Sequence, residues 1–232
     1  MTSKRVENYL GEEGILSTRL EGFEFRPQQV DMAAAVAEAF GNAKHLIVEA
    51  GTGTGKSLAY LIPAILWAVE NNKKVVISTY TKTLQHQILN HDIPFLRDKL
   101  GIAFRYALCM GNENYLSLRR LKRSAQAGLF TKSDEENQWD GIFNWAEETE
   151  TGFRSDLPFE VLPQVWEEVG RQKDLCLGKS CETHSSCFYF KARKKWFGAH
   201  LLIVNHHLFF ANVANAGAVL PAFDAVVFDE AQ

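Results

Sequence analysis

Glu49-Ala50-Gly51-Thr52-Gly53-Thr54-Gly55-Lys56-Ser57 decides the reading of this chain. Glycines at alternate positions let a backbone turn tightly and bring several N–H groups around one point. Working outward, His45-Leu46-Ile47-Val48 reads as a short buried strand, and Leu58 to Val69 reads as a helix. Strand, glycine-rich turn and helix start make a phosphate-binding loop formed by Ala50, Gly51, Thr52, Gly53, Thr54, Gly55, Lys56 and Ser57. In such a loop Lys56 reaches the β- and γ-phosphates of a nucleotide, and the Ser57 hydroxyl faces Mg²⁺. Ala50 stands where the G-x-x-x-x-G-K-[ST] pattern has its first glycine. Pro63 removes one helical hydrogen bond, to the Ala59 carbonyl, but apolar spacing continues through Ile65, Leu66 and Val69, so the helix is expected to bend rather than end.

Upstream, residues 1–20 read as a polar lead-in, and an alanine-rich helix runs from about Gln28 to Phe40, ended by Gly41-Asn42. In Arg26-Pro27-Gln28-Gln29, the Gln29 amide has the paired donor and acceptor that grip the edge of adenine. Pro27 near N1 also suits a plain helix start. Downstream, Val75-Val76-Ile77-Ser78-Thr79 is β-branched and strand-like, Thr81 can cap a helix from about Lys82 to Leu89, and Phe104 to Leu108 is a third candidate strand. Strand texture returns at Leu201-Leu202-Ile203-Val204 and at Ala225-Val226-Val227-Phe228, ahead of Asp229-Glu230.

The simplest architecture is an α/β, parallel-sheet domain with an insertion: residues 1–108, an insertion over 109–198, and a return over 199–232. Ligands bind at the carboxyl ends of such strands, which puts the loop, Thr79 and Asp229 on one rim. There Asp229 would hold Mg²⁺, and Glu230 would orient or deprotonate an attacking water.

The insertion is expected to be mostly helical, and it carries Cys176, Cys181 and Cys187 at spacing C-x4-C-x5-C, with Cys109 at its start. Clustered cysteines in an intracellular chain point to metal or redox chemistry; the C-x2-C knuckles usual for zinc are absent, and iron–sulfur clusters accept looser spacing. Cys109, after an apolar run, also suits a small buried residue; His184, between two of the cysteines, could ligate metal, but reads first as a solvated loop histidine. Two basic runs, Arg119-Arg120-Leu121-Lys122-Arg123 and Lys191-Ala192-Arg193-Lys194-Lys195, flank the insertion, with Phe188, Tyr189, Phe190, Trp196 and Phe197 around the second. Cations with aromatics suit single-stranded nucleic acid; a solvated helix face over an aromatic core is the alternative.

A hydrophobic share of 46% supports a real core, and a net charge of −3 decides nothing about a nucleic-acid partner, because local patches outweigh the sum. Met1–Leu20 is polar and mixed in charge, unlike a signal peptide. The longest apolar run, Leu58 to Val69, falls short of the roughly 20 residues a membrane span needs. A cytoplasmic protein with no membrane contact is expected.

Together these pieces resemble the DinG/XPD family of superfamily 2 DNA helicases, closest to the bacterial DinG type. The matching stretches are Phe25 to Gln29, Glu49 to Ser57, Ser78 to Gln85, Asn114-Tyr115-Leu116, the three-cysteine run, Val204 to Leu208 and Val227 to Ala231. The resemblance implies a RecA-like motor domain and ATP-Mg²⁺-driven 5′–3′ unwinding of single-stranded or forked DNA. It also implies a [4Fe–4S] cluster, and Thr79, Thr81 and Gln85 on the DNA side.

Three departures stand out. The family's K-G-R-x-N-Y-L-C reads Met110-Gly111-Asn112-Glu113-Asn114-Tyr115-Leu116-Ser117 here, so Ser117 holds the first ligand position and Cys109 lies eight residues earlier. Either could complete the ligand set, or the site has three thiolates. Gln232 stands where the family has a histidine, and the arch insert and second motor domain are expected to lie outside these residues. The function expected is the N-terminal part of an ATP-dependent DNA helicase; a non-motor nucleic-acid or cluster-binding remnant is the alternative. A kinase would leave the cysteines and Thr79 to Gln85 unexplained.

Overall fold

A computed structural model describes residues 3–20, 22–51, 53–127 and 133–231; Thr52 and Gln232 lie outside the described residues. The chain divides into two compact units, one of residues 1–108 with 198–232 and the other of residues 109–197. In chain order the first unit runs α1 (Ser3–Leu10), α2 (Ile15–Arg19), α3 (Pro27–Asn42), α4 (Lys56–Asn71), β1 (Val75–Thr79) and α5 (Lys82–Gln87). A π-helical turn (Ile88–Asp92), α6 (Ile93–Lys99) and β2 (Tyr106–Leu108) follow. The second unit holds α7 (Leu118–Ala127), α8 (Ser133–Glu148), α9 (Pro163–Val169) and α10 (Phe188–Gly198). The first unit then closes with β3 (Leu201–Asn205), α11 (His206–Ala214) and β4 (Ala225–Asp229).

The four strands form one parallel sheet in the order β2-β3-β1-β4. All five residues of β1 are buried, as a continuous β-branched run in a parallel sheet requires. Leu61, Ile62, Ile65 and Leu66 of α4 are buried in one core with Val75, Ile77, Leu201 and Ile203. Pro63 sits inside α4, which continues to Asn71. Thr81 caps α5 by accepting the Leu84 N–H. The helix α3 runs past Gly41-Asn42 and ends where Ala43 turns left-handed. The register aligns Thr79 with Asn205 and with Asp229, which places all three on the carboxyl rim.

Two expectations fail in this unit. The N-terminal stretch is not only a polar lead-in: Val6, Tyr9, Leu10 and Leu16 enter the core on α1 and α2. Their apolar spacing is short and diluted by charge, which hid it. The strand expected over His45–Val48 is not formed, and Leu46, Ile47 and Val48 are 42%, 98% and 40% exposed. A strand exists only by pairing, and among the described residues this segment pairs with none of the four strands of the sheet.

The second unit is mostly helical and centred on Tyr115, Leu116, Ile142, Val165, Val169 and Trp196, all buried. Tyr115 bridges Phe153, and Leu116 bridges Gly170, each antiparallel. The Trp166 indole donates to the Glu113 carbonyl at 2.9 Å.

Candidate functional site

The glycine-rich loop leads directly into α4. Gly53 and Gly55 have φ of 80° and 74°, the left-handed region a side chain resists, and Gly55 is the residue from which α4 starts. Lys56 is the first residue of α4, and its Nζ donates to the Ala50 carbonyl at 3.2 Å; Thr54 Oγ1 donates to Gly51 O at 2.9 Å. Two side chains from the start of α3 hold the loop. Arg26 Nη1 donates to Gly53 O at 2.6 Å, and Gln29 Nε2 to Gly55 O at 2.9 Å. Arg26 is also paired with Glu24 at 2.6 Å. Gln29, which is buried, therefore spends one of its two amide hydrogens on the loop and keeps its carbonyl oxygen as an acceptor.

Asp229 lies at the end of β4. Its Oδ2 accepts the Tyr60 hydroxyl at 2.9 Å and its Oδ1 accepts the Glu230 N–H at 3.0 Å; Glu230 has φ of 57°. Tyr60 is one turn beyond Lys56 on α4, so its hydroxyl ties the phosphate-loop helix to the acidic strand end. Burial, then the Asp229 carboxylate, pushes the Tyr60 phenol well above its ordinary value, so it remains a donor. Burial also raises the Asp92 carboxyl, against a hydrogen bond from Ser57, with Asp229 adding repulsion. Tyr60 and Asp92 were missed in the sequence. Tyr60 at four residues past the loop lysine was the available signal; for Asp92, in a π-helical turn, there was none.

Thr79 and Gln85 are buried, and Thr79 Oγ1 donates to the Thr81 and Val204 carbonyls. Tyr80 on this segment is 63% exposed, and Thr83 is exposed as well. The histidine pair after β3 starts α11. Asn205 caps it, and His206 turns inward, its Nδ1 2.7 Å from Ser78 Oγ and its Nε2 without a partner.

In the second unit Cys176, Cys181 and Cys187, all free thiols, line one pocket with Ser117, His184, Arg120 and Arg171. Cys109 is 1% exposed and does not line it. Arg119 Nη2 donates to Leu175 O and Arg120 Nη1 to Gly170 O, each at 2.5 Å, so two cations of the first basic run hold carbonyls at the pocket wall. Burial pulls the Arg120 guanidinium below its ordinary value. The aromatics of the second run are mainly core. Phe188, Tyr189 and Trp196 are buried, Arg193 lies 5.8 Å from the Tyr189 ring centroid, and Phe197 alone of the five is exposed. The run is thus a cationic helix face over an aromatic core, not a row of stacking platforms.

Residues 27–136 match the DEAD/DEAH box helicase family. The chain is 36% identical to the ATP-dependent DNA helicase YoaA of Haemophilus influenzae over 98% of its length and 36% of that protein. It is 38% identical to YoaA of Escherichia coli, over 94% of the chain and 35% of that protein. It is 38% identical to the ATP-dependent helicase DinG of Mycobacterium tuberculosis, over 91% of the chain and 34% of that protein. Residues 27–136 thus carry a DEAD/DEAH box helicase match, and nearly the whole chain is similar to the first part of DinG and YoaA helicases. It spans about a third of the length of these curated relatives. No helix among the described residues is long and apolar enough to cross a membrane.

Proposed function

We propose that this chain is the nucleotide-gripping part of a cytoplasmic, ATP-dependent 5′–3′ DNA helicase of the DinG type, with residues 109–198 as its cluster-bearing insertion. The observation that carries the reading is the Tyr60–Asp229 hydrogen bond. It couples the helix that starts at Lys56-Ser57 to the strand that ends in the acidic pair. In this reading Lys56 leaves the Ala50 carbonyl to meet the β- and γ-phosphates, Ser57 and Asp229 face Mg²⁺, and Glu230 orients the attacking water. Gln29 offers its free carbonyl oxygen to the adenine amine while its amide keeps the loop in place, and Arg26 holds Gly53. The Mg²⁺ ion supplies charge neutralisation across the phosphates when bound. Single-stranded or forked DNA is the polymer substrate. The second motor domain, outside these residues, supplies the arginine that completes the cleft.

The same reading places an iron–sulfur cluster, [4Fe–4S] by resemblance, in the cysteine pocket. The donor chemistry fits: three free thiols and an imidazole line one cavity. No group of three His, Cys, Asp or Glu side chains among the described residues is drawn together closely enough to hold a single metal ion.

Titration of the 232-residue chain with a fluorescent ATP analogue and Mg²⁺ tests the nucleotide reading. Weak, Mg²⁺-dependent binding with little hydrolysis and no unwinding is expected. Brisk DNA-stimulated turnover by this chain would show that no second domain is needed, and absence of binding would overturn the assignment.

A further inference from the structure

Sequence spacing left two candidates for a fourth ligand beside Cys176, Cys181 and Cys187, and the structure disfavours both. Cys109 is buried away from the pocket lining. Ser117 lines the pocket, but its Oγ accepts the Arg120 N–H at 3.4 Å, the bond of a helix N-cap at the start of α7. An aliphatic hydroxyl also holds its proton far above neutral pH and is a poor partner for iron.

We propose that His184, through Nε2, is the fourth protein ligand of the cluster held by Cys176, Cys181 and Cys187; this rests on the cluster reading above. His184 Nδ1 lies 3.0 Å from the Gly178 carbonyl oxygen. A carbonyl only accepts, so Nδ1 carries a proton, and Nε2 is the ring nitrogen left for a metal. Metal-binding histidines are held in this way, the second ring nitrogen donating to a backbone carbonyl. The loop geometry makes the arrangement specific. Gly178 has φ of 57°, and consecutive turns join Cys181 N to Gly178 O (3.2 Å), His184 N to Cys181 O (3.0 Å) and Cys187 N to His184 O (3.3 Å). His184 is therefore the midpoint of two turns whose outer ends are cysteines, and its ring packs against Phe190 with centroids 4.4 Å apart. All four side chains line the same pocket. A neutral imidazole in place of a thiolate makes the cluster one charge less negative, which raises its reduction potential.

The test is anaerobic reconstitution of the full chain with ferrous iron and sulfide. Iron and sulfide content, reduction potential and pulsed EPR of the reduced state are then measured for wild type, His184→Ala, His184→Cys, Ser117→Ala and Cys109→Ala. Wild type should show a ¹⁴N coupling from the imidazole. The coupling should vanish in His184→Ala, with loss of one iron to a three-iron signal. His184→Cys should restore full iron without the ¹⁴N coupling and at a more negative potential, which also shows that the loop still folds. Ser117→Ala and Cys109→Ala should keep the coupling. A loaded wild type without it, or iron lost from Ser117→Ala or Cys109→Ala but not from His184→Ala, overturns the histidine ligand and leaves the cluster standing. A wild type lacking iron, sulfide and visible absorbance sinks the cluster reading itself.

Discussion

The nucleotide cradle and the cysteine pocket are built by different means. The cradle is a contiguous run whose shape is set by two left-handed glycines and a helix start, with Arg26 and Gln29 as outside supports. The pocket is gathered from the start of α7, the segment after α9 and the loop before α10, and its walls are pinned by arginines donating to distant carbonyls. A site made of backbone keeps its form when a functional side chain is removed. A site made of side-chain-to-backbone ties does not. Removing a ligand-facing group should therefore cost binding in the cradle, and removing a tie should cost stability in the pocket.

The largest effect is expected at Lys56. Its Nζ now rests on the Ala50 carbonyl, a modest and replaceable bond. Lys56→Ala should weaken nucleotide binding by on the order of 3 kcal/mol, about a hundredfold, because charge-assisted contacts to phosphate are lost. Its unfolding midpoint in urea should stay near that of wild type. A large fall in stability would erase the contrast.

Arg120→Met is the matching change in the pocket. It keeps a long apolar stem but leaves the Gly170 carbonyl without its charged donor. A cost of about 2 kcal/mol in stability is expected, read by urea unfolding before any metal is added. Unchanged stability would mean that the pocket wall is held by packing of Leu116, Val165 and Val169 alone.

How far each site could be read beforehand follows from the same contrast. The glycine turn and helix start at Gly53 to Lys56 were legible because they lie in consecutive residues, and the place of Asp229 because it ends an apolar strand. The strand at His45–Val48 was over-read, since its apolar run says nothing about whether a neighbouring strand is there to pair with. Of the two readings of Cys109 the buried one describes its setting, outside the lining that the other three cysteines share, which spacing alone does not tell. His184 read first as a solvated loop residue because its partner, the Gly178 carbonyl, is supplied by a left-handed turn that the sequence marks only with one glycine. The aromatics beside Lys191–Lys195 looked like stacking platforms, but Phe188, Tyr189 and Trp196 are needed to fill a small core.

Tyr60 stands between the two kinds of site, because it is a side-chain tie within the cradle. Tyr60→Phe keeps the ring, 2% exposed, and removes the donor to Asp229. About 1 kcal/mol of stability should be lost, since the half-exposed Asp229 can turn partly to water. Nucleotide binding should become less dependent on Mg²⁺ at the same time, because Asp229 is no longer held toward α4. A change in stability with no change in Mg²⁺ dependence would place Tyr60 with the structural ties.

The smallest effect tests the sheet beneath the cradle by pH. His200, just before β3, accepts the Arg105 backbone N–H on Nδ1 at 3.1 Å and is buried. Burial, then the positive charges of Arg105 and Lys74, lowers its imidazole from the ordinary value. A lowered histidine binds its proton more readily when unfolded, so the unfolded state carries more protons as pH falls below the ordinary imidazole range, and stability must fall with it. The contribution is fully present above that range and is lost between the unfolded value, about 6.5, and the lower folded one. Thermal unfolding at pH 7.5 and pH 5.5 should therefore show a larger decline for wild type than for His200→Asn, whose side chain can still accept from Arg105 but does not titrate. Equal declines would assign the acid sensitivity of this unit to groups other than His200.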